Sequence, residues 1–147
     1  MDRGECVHFT YNHRVEANVN TYYINKTVEL SFEEAIGRVT EELKKEGFGV
    51  LTEIDVQATL KKKLDVDFRP YKILGACNPP YAHRALQAER HIGVMLPCNV
   101  IVQDAGEGRS EVAAIDPLVA MSRVDNPALM PVAEEISAKL QRVIANL

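Results

Sequence analysis

Between Thr21 and Gly47 the apolar period changes across a single serine, and this switch most limits what the chain can fold into. Tyr22, Ile24, Val28 and Leu30 share one parity while Tyr23, Asn25, Thr27 and Glu29 share the other, the alternation of a half-buried strand. Ser31 then opens a Ser-x-x-Glu capping box with Glu34, and Phe32, Ala35, Ile36, Val39 and Leu43 fall on one helical face running to about Glu46. Glu33 and Glu34 at the start and Lys44 and Lys45 at the end agree with the helix dipole, and Gly47 supplies a left-handed C-terminal residue. Gly37 dissents; close packing against the sheet would compensate a glycine inside a helix.

The same alternation of periods continues. Phe48, Val50, Thr52 and Ile54 read as a second strand, and Asp55 caps a short helix with Val56, Leu60 and Leu64 on one side. Lys61-Lys62-Lys63 is a solvated helix face near that helix's C-terminus. In Tyr71 to Cys77, Tyr71, Ile73, Gly75 and Cys77 share one face and Leu74 and Ala76 the other. Both faces are apolar, as in a strand covered on two sides or placed at a subunit interface. Asn78 and Pro79 suit the cap and first residue of a third helix carrying Ala82, Ala85 and Leu86 inward to about Arg90. Val94 to Gln103 reads as a strand, irregular at Pro97, and Asp104 to Gly108 as a hairpin loop leading to a last strand over Arg109 to Ile115. A connection through Asp116 to Met121 reaches Asn126-Pro127 and a final helix with Val132, Ile136, Leu140, Val143 and Leu147 as its stripe. The order predicts an α+β fold, a mixed or antiparallel sheet with helices mainly on one face.

Length suits one domain over residues 21–147, and residues 1–20, which carry no periodic pattern, form an N-terminal extension. The extension holds Cys6, His8 and His13, too few ligands for a defined metal site. A net charge of -4 argues against nucleic acid as a partner. No apolar run approaches a membrane span, and three widely spaced cysteines fit a reducing, cytoplasmic setting. The glycines do not form G-x-G-x-x-G or a P-loop, and no motif names a cofactor.

Chemistry concentrates in two Cys-Asn pairs, Cys77-Asn78 and Cys98-Asn99, which neighbouring strands can bring together. Cys77 precedes a helix N-terminus, where unpaired N–H groups lower a thiol pKa, so it is the candidate nucleophile or redox thiol. Cys98 is then a resolving thiol or second metal ligand, and His83 a base or ligand. The competing reading keeps both thiols as buried aliphatic-like side chains. Asn78, Asn99 and Tyr71 are candidate ligand-binding residues and Tyr81 can line a pocket; Asp55, Asp116 and Glu53 include two caps or turn formers, and no pair of them falls on one face for acid-base catalysis. Two function classes follow: thiol-dependent redox or sulfur handling, or a non-catalytic module binding a small ligand or a protein.

From about Tyr22 to Ile144 the chain resembles the bacterial and archaeal family called domain of unknown function 302. The resemblance rests on Glu46 to Asp55, Tyr71 to Pro79, Ala82-His83-Arg84-Ala85-Leu86 and Leu96-Pro97-Cys98-Asn99-Val100. It implies an α+β fold similar to one repeat of the TATA-binding-protein fold with added helices, assembled as a homodimer, and it implies no established activity.

Overall fold

The structure, a computed structural model, describes residues 21–147. Cys6, His8 and His13 lie outside the described residues. Five strands make one antiparallel sheet: β1 (Tyr23–Val28), β2 (Gly49–Asp55), β3 (Tyr71–Cys77), β4 (Cys98–Gly106) and β5 (Arg109–Ile115), in the spatial order β1-β5-β4-β3-β2. Helices α1 (Phe32–Lys45), α2 (Val56–Leu64), α3 (Pro79–Ala88), α4 (Pro117–Met121) and α5 (Met130–Ala145) complete the α+β fold.

Register assigns the faces. Leu74 lies opposite Val100, Val100 opposite Ala114, and Ala114 opposite Ile24, so these four point the same way, with Ala76, Cys98, Val102 and Val112. Against this face pack Ala35, Val39 and Leu43 of α1, Ala85 of α3 and the stripe Val132, Ile136, Leu140 and Val143 of α5, forming one core. The opposite face carries Ile73, Ile101 and Ala113 in a lateral row, with Tyr71, Gln103 and Glu111 in the next. Cross-strand hydrogen bonds tie that polar row together: Gln103 donates to Glu111 (2.7 Å), and Asn25 of β1 donates to Glu111 (3.1 Å).

The local signals of α1 act as expected. Ser31 Oγ accepts from the Glu34 N–H, and Gly47, at φ 86°, ends the helix. Asp55 caps α2 by accepting from the Ala58 N–H, and the lysines at 61, 62 and 63 fall in its exposed last turn. Glu107 and Gly108, both at positive φ, make the two-residue turn between β4 and β5. Carbonyls at the end of α5 and just beyond it are met from across the fold: Lys26 Nζ donates to Ala145 O and Leu147 O, and Arg38 to Asn146 O.

At five points the structure corrects or goes beyond the sequence pattern. A register shift between Val50 and Thr52 breaks the single-face reading of β2: Val50 sits opposite Ala76 under the helices, whereas Thr52 and Ile54 sit opposite Gly75 and Ile73 on the other face. The apolar side of α2 is not core, since none of its residues is buried. Leu86 faces solvent, and only Ala85 of α3 is buried. Residues Ile92–Met95 form a 3-10 turn, so β4 begins only at Cys98, past the proline that cannot donate to the ladder. Asp116 caps α4, a short helix in what reads as a connection, and a further 3-10 turn (Pro127–Leu129) precedes α5.

Gly37 also departs from expectation, since a Cβ there meets nothing within 4 Å. Exposed on the outer side of α1, it has the full cost of a helical glycine and no packing reason for it. Gly37→Ala is expected to stabilise the fold by about 1 kcal/mol, read as a raised denaturation midpoint at unchanged m-value.

Candidate functional site

At the end of the sheet where β3 stops and β4 starts, the strands fail to fill the space beneath α3 and α5, leaving a cavity of about 230 Å³. Ala76, Cys77 and Asn78 line it from the end of β3, and Leu96, Pro97 and Cys98 from the entry to β4. Tyr81, Ala82 and Ala85 of α3 and Val132, Ala133 and Ile136 of α5 form the helical walls, with Phe48, Leu51 and Met121 completing the surface. Small side chains create the room: three alanines and Ala133 stand where α3, α5 and β3 approach one another. Leu51, thrown outward by the β2 bulge and 66% exposed, stands at the edge.

The two cysteines meet here, as their spacing suggested, but in unequal settings. Cys98 is buried, and burial, with a smaller contribution from Cys77, pushes its thiol up to about 11. Cys77 is half-buried. Cys98 lies opposite Ala76, and Cys77, the next residue and the last of β3, lines the same cavity. Both thiols are free.

The helix N-terminus beside Cys77 is not the donor cluster the sequence reading assumed. Pro79 and Pro80 fill its first two positions and have no N–H, while the Tyr81 and Ala82 N–H groups both bond the Asn78 carbonyl (3.1 and 3.0 Å). Nor does the Asn78 side chain cap the helix. Its Nδ2 instead donates to the Glu46 carbonyl at the end of α1 (3.0 Å), locking the cavity wall to the α1–β2 turn.

His83 is exposed on α3 and does not line the cavity, so it is not brought to the thiols. Asn99 is exposed on the open face of the sheet. Tyr71 belongs to that face too, with the Arg69 guanidinium 5.7 Å from its ring centroid, and burial holds its hydroxyl pKa above the ordinary value. Among the described residues no cluster of three or more His, Cys, Asp or Glu is arranged to hold a metal.

A charged network rims the α3–α5 side. Arg142 binds Glu46 through two hydrogen bonds (2.8 and 3.1 Å), holding that carboxyl below its ordinary pKa, and Lys139 lies 3.8 Å from it. Arg84 and Lys139 both approach the Tyr81 ring, and hydrogen bonding to Glu135 raises the Tyr81 hydroxyl pKa. These charges are paired with one another and leave the cavity lining without a cation or a carboxylate. Sequence reasoning found Cys77, Asn78, Tyr81 and Cys98 but missed Met121 and the α5 wall, whose closeness to the thiols no local signal encodes.

Burial of Cys98 has a pH signature. Below pH 9.0 the thiol is protonated in both states. Between 9.0 and about 11 the unfolded chain releases the proton and the native one retains it, so stability falls as pH rises through that window. Denaturant titrations of wild type and Cys98→Ala are expected to converge in this range, and a constant gap between them from pH 8 to 11 would contradict the assignment.

Together these features define a class: a one-sheet α+β protein with a small, uncharged, thiol-bearing cavity at its strand ends. Residues 24–147 match the model of the family described as Domain of unknown function DUF302, and the chain belongs to that family. It is similar to an uncharacterized conserved DUF302 protein from Bacillus stearothermophilus known from a crystal structure. The two are 32% identical with a TM-score of 0.78, over 84% of this chain and 96% of that one. No curated protein matches the chain.

Proposed function

We propose that the chain is a non-catalytic binding module whose strand-end cavity takes a small, mainly apolar molecule. The observation that carries this reading is the lining: about 230 Å³ walled by aliphatic, aromatic and thiol side chains with one amide, Asn78, and no charged group. An apolar cavity of roughly 150 Å³ already accepts benzene, so a bicyclic hydrocarbon skeleton is within range. Thiol-dependent redox or sulfur handling is less well supported. Cys98 is held protonated to about 11, and His83 stands apart from the cavity. Thermal unfolding at increasing indane concentration tests the proposal: binding to the native state raises the melting temperature progressively by mass action. A melting temperature unchanged up to the solubility limit of indane would remove the proposal.

A homodimer is the assembly we propose, through the sheet face that the helices leave uncovered. Support comes from its apolar row of Ile54, Ile73, Ile101 and Ala113, and from α2, which buries nothing. Sedimentation across a micromolar dilution series is expected to give the dimer mass, and Ile101→Lys a monomer. A monomer mass for the wild type throughout would refute the assembly.

A further inference from the structure

Resting on the reading of the cavity as a binding site, we infer that it selects neutral ligands bearing one hydrogen-bond donor, an N–H or O–H on an otherwise apolar skeleton. The selecting atom is Asn78 Oδ1. Asn78 is 7% exposed, lines the cavity, and faces the Glu46 carbonyl through its amide nitrogen. A carbonyl only accepts, so that bond fixes which end of the amide is spent and leaves Oδ1 as the free acceptor. Among the described residues no side chain or backbone N–H donates to it. Oδ1 is not sealed from solvent, since among the described residues Arg109 Nε is the buried side-chain polar atom without a partner, so a donor on a molecule entering the cavity can replace water at it.

Complementary donors are scarce, and this excludes anions. Pro79 and Pro80 contribute no N–H, the N–H groups of Tyr81 and Ala82 are engaged with the Asn78 carbonyl, and the Asn78 amide nitrogen is engaged with Glu46. No lysine, arginine or histidine lines the walls. A carboxylate entering this space would lose its hydration and meet an acceptor and weakly polar thiols, whereas a neutral donor gains the one bond the wall offers.

The chain contains no tryptophan, so indole is its own reporter, excited at wavelengths where tyrosine is silent. Indole fluorescence is titrated with the full chain, and indene, benzofuran and benzoate are then used as competitors. Indene matches indole in shape without the donor, and benzofuran puts an acceptor in its place. The inference expects indole to bind about 2- to 12-fold more tightly than either, the range of one net hydrogen bond, and benzoate not to compete. Ala82→Leu, a change at a half-buried cavity-wall position, is expected to weaken indole and indene alike, and Asn78→Leu to bring their affinities together. Equal affinities for indole, indene and benzofuran in the wild type, or tighter binding of benzoate, would overturn the donor selection while leaving an apolar site in place. If none of the four binds, the binding reading itself fails, and the inference with it.

Discussion

Replacing Gly75 by valine is expected to unfold the protein or cost it more than the roughly 1–3 kcal/mol typical of an overpacked core. Gly75 is the middle of β3, paired with Thr52 on one side and Asn99 on the other. A Cβ built on it overlaps Thr52 Oγ1 and comes within 2.9 Å of Pro97 Cγ. Thr52, an exposed residue after the β2 bulge, must change rotamer to relieve the overlap, and Pro97 is held by its ring and the strand it introduces. Gly75→Ala should cost about 1–3 kcal/mol, and Thr52→Ala, which removes the Oγ1, should recover part of it. Denaturant midpoints for the two single variants and the double variant measure that coupling. Equal stability of Gly75→Ala and wild type would mean that β2 and Pro97 do not approach the strand as described. Pro97 also lines the cavity, so the same overlap shows why the end of β3 needs glycine to bring the β4 entry in as a wall.

The second large effect contrasts two leucines. Leu74 is fully buried between α-helical and strand neighbours at the centre of the sheet, and Leu74→Ala is expected to cost about 2–5 kcal/mol. Leu64, on the apolar side of α2, is 65% exposed, and Leu64→Ala should change stability by no more than about 0.5 kcal/mol. Chemical denaturation at low micromolar protein resolves the two. A comparable loss from both would show that α2 supports the core in solution.

These contrasts mark where sequence reasoning succeeds. Signals carried within a few residues were legible: the Ser31 and Asp55 caps, Gly47, the hairpin turn and the stripe of α5 are local chemistry. The α+β order followed from them. What needed the fold was partnership over distance. The parity of β2 looks unbroken until Leu51 bulges against β3, and the stripe of α2 looks like core because periodicity does not say whether anything lies opposite. Asn78 had the sequence of a cap, yet its side chain turns to Glu46, 32 residues earlier in the chain. Other misses were written in the sequence. Asp116-Pro117 carries the same cap-and-proline signature as Asn126-Pro127, and Pro79-Pro80 already announces a helix start short of N–H donors. The thiols were found, but their chemical setting was not, because burial of Cys98 depends on α5 closing over the strand ends.

The central claim, that the strand-end cavity is a binding site for a small and largely apolar molecule, is tested most directly by methyl-selective NMR during an indole titration. Saturable shifts are predicted for methyls of the wall, those of Ala76, Ala82, Ala85, Met121, Val132 and Ala133, while Ile73, Ile101 and Ala113 on the open sheet face stay still. Shifts confined to the open face, or none that saturate, would contradict it.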